Sequence, residues 1–348
     1  MKNILITGGT GFIGSHTCLN FLEEGINITI IDSLKNSSIK VLKGLKKILE
    51  LSNNYDENKI NFYEGDIRNS AFLKDVFLEA KNKNNPIDGV IHFAGLKAIR
   101  ESTLNPILYW DVNVNGSINL FKTMDENKCR TILFSSSATV YGDSQKIPFK
   151  ESESIKPFNT YGYTKAAVEN ILNNIFNSDS SRWRIGVLRY FNPIGAHPSG
   201  LIGENLNHNP ENIFPHICQV ASGLRDKLYI FGNDWPTPDG TCYRDYIHIV
   251  DLAEIHKKTL EYLFNKSREN LNLNVGKGKS YSVLELINTF ERVNKKKINY
   301  EFSNRRVGDI AISYADTSKM YNLLKWKPTK SLEEMCKDGW NWQKNKYF

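Results

Sequence analysis

The chain has 348 residues, of which 40% are hydrophobic and 24% are charged. This length allows about two domains, and the composition is that of a globular protein, not a disordered or fibrous one. The formal net charge is +7, but the lysines fall in runs interleaved with asparagine. No arginine-rich or aromatic-interleaved patch indicates nucleic-acid binding, so we expect a solvated basic surface and no nucleic-acid partner.

Three further features favour a cytoplasmic protein. The first predicted strand starts beside the initiator Met, so we expect no signal or transit peptide. No apolar run approaches the roughly 20 residues that a membrane span needs, and we expect no membrane association. The five cysteines show no CxxC pairing, which suits a reducing compartment. The seven histidines show no metal-ligand spacing, so no metal site is expected.

The first part of the chain alternates predicted strands with predicted helices. Strands are predicted over 3–7, 26–32, 60–66, 89–95, 131–136 and 185–191. Helices are predicted over 13–25, 38–51, 110–128 and 164–176, where apolar residues recur at helical spacing. This alternation predicts an α/β fold of the Rossmann type, a doubly wound parallel sheet covered on both faces.

The pattern changes after residue 191. A loop rich in Gly, Pro and Asn occupies 192–212, and shorter mixed elements follow it. We therefore predict a first domain over 1–191 and a smaller mixed α/β domain over 192–348, interleaved with the first.

A glycine cluster, TGGTGFIGSHT (7–17), joins the first strand to the first helix. It is read either as GxGxxG on Gly9, Gly11 and Gly14 or as GxxGxxG starting at Gly8. Glycines let backbone N–H groups approach a pyrophosphate, and the positive end of the helix favours the anion. The strand before and the helix after it indicate a dinucleotide site.

Asp32 ends the second predicted strand, eighteen residues after Gly14. A carboxylate at this place accepts hydrogen bonds from the adenosine ribose and repels a 2′-phosphate. The sequence therefore favours NAD over NADP, although Lys35 nearby weakens that preference. The alternative, that Asp32 is only a turn residue, is less favoured by its position.

Three serines, Ser135 to Ser137, follow the fifth predicted strand, where ligands bind in open α/β sheets. A serine run alone is more often a turn or a helix cap, and a single tyrosine is more often a packing residue. Here Tyr161 and Lys165 follow at helical i,i+4 spacing, so they share one face of a helix, whereas Tyr163 does not. The set predicts a catalytic strand-end serine with Tyr161 and Lys165, and Tyr163 as a packing or surface residue.

TGGTGFIG, the strand-end serine and YxxxK resemble an extended short-chain dehydrogenase/reductase. HFAGLKA (92–98), SSSATVYGD (135–143), RYFNPIGAHPSG (189–200), IFGNDWPTPDGT (230–241) and RDYIHIVDLA (244–253) are similar to the UDP-galactose 4-epimerase family. This resemblance runs nearly end to end. It implies an NAD-dependent enzyme that oxidises C4 of a UDP-sugar to a 4-keto sugar, lets it rotate and returns the hydride to the other face. It also implies a homodimer formed by the helices at 110–128 and 164–176.

The resemblance implies roles for particular residues. The cofactor would contact Gly8, Gly11, Phe12, Ile13, Gly14, Asp32, Asp66, Ile67, Phe93, Ala94, Lys97, Tyr161 and Lys165. The UDP-sugar would contact Ser137, Asn192, Asn212, Tyr229, Phe231, Arg244, Arg306, Asp309 and Ser313. Arginines suit a diphosphate through bidentate hydrogen bonds, although for each arginine a surface ion pair is only modestly less favoured.

Tyr161 is then the base that takes the O4 proton and later returns it, and Ser137 hydrogen-bonds O4. A free phenol has a pKa of about 10, so work near neutrality needs that pKa lowered by ~3 units. Lys165 and the positive nicotinamide both act in that direction.

Two positions depart from the family pattern. Val112 replaces an asparagine of the family's DNNVNG stretch, so its role would fall to Asn113 or water. Ser313 matches a position that borders the sugar's 2-substituent and is bulky in enzymes confined to UDP-glucose and UDP-galactose. A small serine predicts that UDP-N-acetylglucosamine and UDP-N-acetylgalactosamine are also substrates.

Three alternatives remain. A 4,6-dehydratase would carry an Asp-Glu pair after the strand-end serine, where this chain has Ala138 and Thr139. A UDP-glucuronate epimerase or decarboxylase would add a basic contact for the carboxylate. A non-catalytic NAD-sensing relative could lose the tyrosine or the lysine, both of which this chain keeps.

Overall fold

The structure is a computed structural model and describes residues 2–144, 146–178, 182–205, 212–306 and 308–345. The chain divides into two compact units, each assembled from separate stretches. Unit 1 comprises Met1–Gly142, Ile155–Arg189 and Ala253–Leu273. Unit 2 comprises Asp143–Ser154, Tyr190–Leu252 and Asn274–Phe348.

Strands and helices alternate through the first half of the described chain. The strands are β1 (Asn3–Thr7), β2 (Asn27–Asp32), β3 (Ile60–Glu64), β4 (Gly89–His92), β5 (Thr131–Ser137), β6 (Arg184–Tyr190), β7 (Asn192–Ile194), β8 (Leu228–Phe231), β9 (Tyr243–Arg244), β10 (Tyr246–His248), β11 (Glu269–Val275), β12 (Tyr281–Ser282), β13 (Tyr300–Ser303) and β14 (Ile312–Ser313). The helices are α1 (Phe12–Leu22), α2 (Lys40–Leu51), α3 (Ser70–Asn82), α4 (Ile99–Leu104), α5 (Pro106–Trp110), α6 (Gly116–Glu126), α7 (Thr160–Asn177), α8 (Ile213–Ala221), α9 (Ile249–Phe264), α10 (Val283–Asn294), α11 (Ser318–Leu324) and α12 (Leu332–Lys344). Single 3₁₀ turns form at Glu57–Lys59 and Ala138–Tyr141.

A seven-stranded sheet organises unit 1, in the order β11-β6-β5-β4-β1-β2-β3. The ladders that join β3, β2, β1, β4 and β5 are all parallel. The predicted Rossmann-type α/β fold is confirmed. The strand order reverses between β1 and β4, and in such sheets ligands bind beyond the carboxyl ends of the strands at that reversal.

Six of the seven strands of this sheet were predicted from the sequence, and the seventh was not. Strand β11 has the sequence ENLNLNV and lies beside β6, far along the chain from the other strands. Asparagines interrupt its apolar residues, so the run looked unlike the continuous apolar strands of a buried parallel sheet.

All four predicted helices have somewhat different limits in the structure, and two of the differences have an identifiable cause. Helix α7 starts at Thr160, four residues earlier than predicted, because the Asn159 side chain caps it by accepting a hydrogen bond from the Gly162 N–H. The helix predicted over 110–128 is α5 and α6 joined by a π-helical turn at Asp111–Asn115. Such turns interrupt the i→i−4 ladder and often lie at functional sites.

Apolar side chains from the sheet and its helices form the core of unit 1. Leu5, Val90 and Ile132 on the strands pack in one buried cluster with Leu120 of α6 and Leu172 of α7. Each such side chain contributes about 1.5–3 kcal/mol on burial. This cluster holds α7 against the sheet, and α7 carries Tyr161 and Lys165.

Unit 2 combines short strand pairs with helices. Strand β7 pairs with β10, β8 with β13, and β9 with both β12 and β14. Helices α10 and α12 both begin with a capping box, Ser282 with Glu285 and Ser331 with Glu334, and such boxes satisfy two N–H groups at each helix start. Both helices contribute to a second buried apolar cluster.

Three general findings concern the described residues. None of their helices is long and apolar enough to cross a membrane. They contain no group of three or more His, Cys, Asp or Glu side chains that could hold a metal ion. All five cysteines are buried free thiols.

Candidate active site

The glycine loop between β1 and α1 packs too closely for side chains. Gly8 has a φ of +71°, a conformation that favours glycine. A Cβ on Gly8 would lie 2.8 Å from the Ala94 backbone nitrogen, and one on Gly14 would lie 2.2 Å from the Gly8 carbonyl oxygen. Gly11 is the N-cap of α1 and supplies no side-chain cap, so the first N–H groups of α1 are left to a ligand or solvent. Phe12 and Ile13 form the first turn of α1 and are half-buried.

Asp32 lies at the end of β2 beside this loop and is 6% exposed. Its carboxylate accepts hydrogen bonds from the Thr10 N–H at 3.1 Å, the Leu34 N–H at 3.0 Å and the Ser37 hydroxyl at 2.8 Å. A carboxylate can accept about four such bonds, so capacity for a ribose hydroxyl remains. Lys35, which weakened the preference for NAD, forms an ion pair with Asp66 at 3.3 Å.

The other residues predicted to bind the cofactor follow β3 and β4. The Asp66 carboxylate accepts hydrogen bonds from the Arg68 guanidinium. These bonds, with one from the Arg68 backbone N–H, hold the pKa of the Asp66 carboxyl below its usual range. Ile67 is buried next to it. After β4, the N–H groups of Phe93 and Ala94 both donate to the Thr7 carbonyl oxygen, at 3.0 and 3.1 Å. Lys97 is exposed.

Ser137, Tyr161 and Lys165 come together at the end of β5. Ser137 is the last residue of that strand, and its side chain accepts hydrogen bonds from the Thr139 N–H at 3.2 Å and the Thr139 hydroxyl at 3.0 Å. Lys165 is 6% exposed, and its Nζ lies 5.7 Å from the centroid of the Tyr161 ring. Tyr163 is 50% exposed, which confirms that it is a surface residue.

Burial shifts both members of the Tyr161–Lys165 couple towards their neutral forms. Desolvation raises the pKa of Tyr161 to about 12, and a hydrogen bond with Ser137 opposes this rise. Desolvation lowers the pKa of Lys165 to about 8, and the nearby Glu169 carboxylate opposes that fall. The Lys165 ammonium has a pKa of about 8 and lies next to the Tyr161 phenol. Two such groups together are suited to proton transfer.

The π-helical turn supplies Asn113, which holds the loop after β4. Its Oδ1 accepts a hydrogen bond from the Leu96 N–H at 2.8 Å, and its Nδ2 donates to the Leu96 carbonyl at 3.0 Å and to the Thr164 hydroxyl at 3.0 Å. Asn113 is therefore a structural link between the loop and α7. Val112, one position earlier, is half-buried, and its effect remains a prediction.

Four of the predicted substrate residues come together in unit 2. The Asp309 carboxylate pairs with Arg306 at 3.0 Å and with Arg244 at 3.6 Å. The Arg306 guanidinium lies 4.7 Å from the centroid of the Phe231 ring. The cluster presents two guanidinium groups, held by one carboxylate, next to an aromatic ring.

Ser313 and Asn192 are tied to this cluster through Asp245. Ser313 is paired with Arg244 between β14 and β9, and its carbonyl accepts a hydrogen bond from the Asp245 N–H at 3.0 Å. The Asn192 N–H donates to the Asp245 carbonyl at 3.0 Å. Asn212, the N-cap of α8, and Tyr229, 43% exposed on β8, are outside this set of hydrogen bonds.

Two residues of unit 1 escaped the sequence analysis. Glu169 and Arg189 form a buried ion pair one turn beyond Lys165, with 2.7 Å between Nη2 and Oε2. The available signal was an acid four residues after the lysine of YxxxK, which continues the same helical face.

The parallel sheet, the glycine loop and the Ser137–Tyr161–Lys165 set define the class of extended short-chain dehydrogenases/reductases. A family model described as GDP-mannose 4,6 dehydratase matches residues 5–339. The chain is 48% identical to a UDP-glucose 4-epimerase of Neisseria meningitidis, over 99% of this chain and 98% of that protein.

Solved structures are similar over the same span. The UDP-glucose 4-epimerase of Stenotrophomonas maltophila, with bound NAD and formylated UDP-arabinopyranose, has a TM-score of 0.92 and 40% identity, and covers 99% of this chain and 98% of that one. The enzyme of Bifidobacterium longum, in complex with NAD+ and UDP, has a TM-score of 0.91 and 39% identity, over 99% of both chains. This chain belongs to the UDP-glucose 4-epimerase family.

Proposed function

We propose that this protein is an NAD-dependent UDP-glucose 4-epimerase that interconverts UDP-glucose and UDP-galactose. The observation that carries the proposal is the placement of Tyr161, Lys165 and Ser137 at the carboxyl edge of a sheet whose first turn is a glycine loop. Membership of the epimerase family supports it.

The residues around β1, β2 and α1 fit NAD. The loop has no room for side chains at Gly8 and Gly14, which leaves the backbone open to a pyrophosphate at the positive end of α1. Asp32 is placed to accept from a ribose hydroxyl and disfavours a 2′-phosphate. Lys35 is paired with Asp66, so this cation is already engaged by a carboxylate. The other contacts predicted for Phe12, Ile13, Ile67, Phe93, Ala94 and Lys97 belong to the proposal.

A UDP-sugar is the substrate that we propose for the cluster in unit 2. Arg244 and Arg306 suit the two phosphates, because a guanidinium binds phosphate oxygens through paired hydrogen bonds. Phe231 and Tyr229 offer aromatic surface to the uracil. Asn192, Asn212 and Ser313 are proposed as further contacts, and Asp309 as the partner of a ribose hydroxyl.

Proton transfer at O4 is the task of the catalytic residues. Tyr161 removes the O4 proton in one direction and returns it in the other, and Ser137 hydrogen-bonds O4 and helps to pass that proton. Lys165, charged and close to the ring, stabilises the phenolate. When bound, NAD supplies a reversible acceptor for the hydride on C4. The 4-keto sugar then rotates in the site, and the hydride returns to the opposite face of C4.

The residues after β5 argue against a 4,6-dehydratase, although the matching family model carries that description. Elimination of water needs an acid and a base beside the sugar. The 3₁₀ turn that follows Ser137 starts with Ala138 and Thr139, neither of which carries a carboxylate. The epimerase is therefore the better-supported reaction.

Incubation with UDP-galactose and no added cofactor tests the proposal. We expect UDP-glucose to form without net NADH, because the oxidation is reversed within each turnover. A 4-keto-6-deoxy sugar would indicate a dehydratase, and an unchanged substrate with NAD-loaded protein would indicate a non-catalytic NAD-binding relative. A third outcome, a change only when UDP-glucuronate is supplied, would indicate the carboxylate-specific enzyme.

Ser313 supports a broader substrate range that includes UDP-N-acetylglucosamine and UDP-N-acetylgalactosamine. Its small side chain is 9% exposed on β14, beside Arg244. We expect the purified protein to epimerise the N-acetylated pair, and Ser313→Tyr to lose that activity while keeping UDP-galactose turnover. No turnover of the N-acetylated pair by the unsubstituted protein would contradict this extension.

We also propose a homodimer and a cytoplasmic location. Leu104 and Ile107, 71% and 85% exposed, precede the helix predicted to form the dimer, and Tyr163 is exposed at the start of the second one. These side chains lie on α4, α5 and α7, which contact one another, and large exposed apolar side chains on adjoining elements favour a partner surface. Light scattering tests the dimer, and a monomer would contradict it. The cytoplasmic location rests on the free thiols.

A further inference from the structure

The helix face that carries Tyr161 and Lys165 continues for one more turn to Glu169. The three residues are spaced four apart on α7, so their side chains share one face. Glu169 is 7% exposed and Arg189, on β6, is 2% exposed. Arg189 donates two hydrogen bonds to the Glu169 carboxylate, from Nε to Oε1 at 3.1 Å and from Nη2 to Oε2 at 2.7 Å.

Three consecutive serines at the end of β5 bind this same face. The Ser135 carbonyl accepts a hydrogen bond from Lys165 Nζ at 2.7 Å. The Ser136 hydroxyl donates to Glu169 Oε1, and the neighbouring Ser137 side chain acts to lower the pKa of the Tyr161 phenol. These contacts fix the position of the end of β5 relative to the face of α7 that carries Tyr161, Lys165 and Glu169.

A buried ion pair of this kind adds little stability over an apolar pair of the same volume, because both charges must be desolvated. The pair lies one helical turn beyond Lys165, which suggests a role other than stability. We propose that the Glu169–Arg189 pair is a positioning unit for the Tyr161–Lys165 couple, holding Lys165 charged and aligned beside the phenol. This inference rests on the proposed function of that couple.

The charges that face Lys165 support this assignment. On α7 its neighbours are Tyr161 and Glu169. On β4, His92 is kept neutral because burial, with a smaller effect from Lys165, lowers its pKa to about 3. On β6, Arg189 is engaged by Glu169. The carboxylate that raises the pKa of Lys165 is Glu169, so its removal should let Lys165 lose its proton at lower pH.

The experiment follows Lys165 itself. The NAD-loaded protein is labelled with ¹³Cε-lysine, and the Lys165 resonance is assigned by its loss in Lys165→Met. We expect Glu169→Gln to lower the titration midpoint of Lys165 by about one to two pH units, because it removes a charge about one helical turn away in a buried site. The alkaline limb of kcat/KM for UDP-galactose should move by the same amount.

Tyr141→Phe is the matched control. The Tyr141 hydroxyl accepts a hydrogen bond from Arg189 Nη1 at 2.9 Å, so this substitution weakens the same network without removing a charge. We expect it to leave the Lys165 midpoint in place. A purely structural role would predict equal changes in both variants.

An unchanged midpoint in Glu169→Gln, or equal shifts in Glu169→Gln and Tyr141→Phe, would overturn the inference. If Glu169→Gln does not fold, the double variant Glu169→Gln/Arg189→Met removes both buried charges and should lower the Lys165 midpoint by a smaller amount, because loss of the Arg189 charge partly offsets loss of the carboxylate. The NMR titration does not depend on turnover. Failure of the epimerase proposal would therefore appear as an inactive unsubstituted protein, whereas failure of this inference would appear as an unmoved Lys165.

Discussion

The phenol of Tyr161 is subject to opposing effects. Burial raises its pKa to about 12 in the protein without cofactor. For Tyr161 to act as a base near neutrality, its pKa must therefore be lowered by ~5 units, equivalent to ~7 kcal/mol. A free phenol would need a pKa lowered by only ~3 units. Because the value for Tyr161 already includes the opposing effect of Ser137, the charge of Lys165 and the bound oxidised cofactor must together supply the difference, which is why a charged lysine is expected here.

Substitution of the two tyrosines of α7 separates the catalytic group from its neighbour. Tyr161→Phe removes the only proton acceptor proposed at O4 and should lower kcat by about 10²–10⁴-fold. Tyr163→Phe, at a half-exposed position, should retain most of the activity. UDP-galactose turnover with matched cofactor loading measures both. Comparable losses in the two variants would refute the assignment of Tyr161.

Lys165 should also make the stability of the cofactor-free protein depend on pH. Its pKa is about 8 in the folded protein, below its ordinary value of 10.5, so between these values the unfolded chain binds more protons than the folded one. Stability therefore rises with pH in this window, by about 2 kcal/mol between pH 8 and pH 10 from this group alone. Lys165→Met should lack this increment in urea titrations.

Lys43→Met is a suitable control because Lys43 lies on an exposed position of α2. It should keep the full pH dependence of the unsubstituted protein. A rise of the same size in Lys165→Met would contradict the burial argument.

At the scale of elements, the turn from β1 to α1 gives a direct test of the cofactor site. A Cβ at Gly14 would meet the Gly8 carbonyl oxygen at 2.2 Å, so Gly14→Ala must displace the loop. We expect the affinity for NAD to fall at least about tenfold, which corresponds to ~1.4 kcal/mol. Calorimetric titration of NAD measures it.

Gly223→Ala provides the comparison for this substitution. Gly223 has a φ of +74° and open space around its Cβ position, so alanine there is strained without touching the glycine loop. Its NAD affinity should stay unchanged. Unchanged NAD affinity in Gly14→Ala would show that the loop does not cradle the cofactor.

Element limits were predicted best where they depend only on the residues of one short stretch. The first strand was predicted with its observed limits, 3–7, because a short apolar run is bounded by polar and glycine residues. The start of α7 was misplaced because the cap at Asn159 depends on one side-chain hydrogen bond. The π-helical turn at 111–115 was missed, since nothing in DVNVN distinguishes it from a continuous helix.

At the scale of the whole molecule, the features that escaped prediction join distant parts of the chain. Strand β11 begins at Glu269, 79 residues after β6 ends at Tyr190, and yet lies beside β6 in the sheet. No local sequence pattern predicts such a pairing. The Glu169–Arg189 pair and the link between Ser135 and Lys165 also depend on tertiary contacts. The Tyr161 and Lys165 pair was predictable because its i,i+4 spacing itself encodes a shared helical face, and the strand-end serines because ligands bind at the carboxyl ends of parallel strands.

The most direct test of the central claim follows the hydrogen at C4 of the sugar. The protein is incubated with UDP-galactose carrying deuterium at C4, and the label is located in the product by NMR. Oxidation and return of the same hydride predict UDP-glucose that keeps deuterium at C4. Deuterium lost to solvent, or found at C6 of a deoxy sugar, would contradict the account.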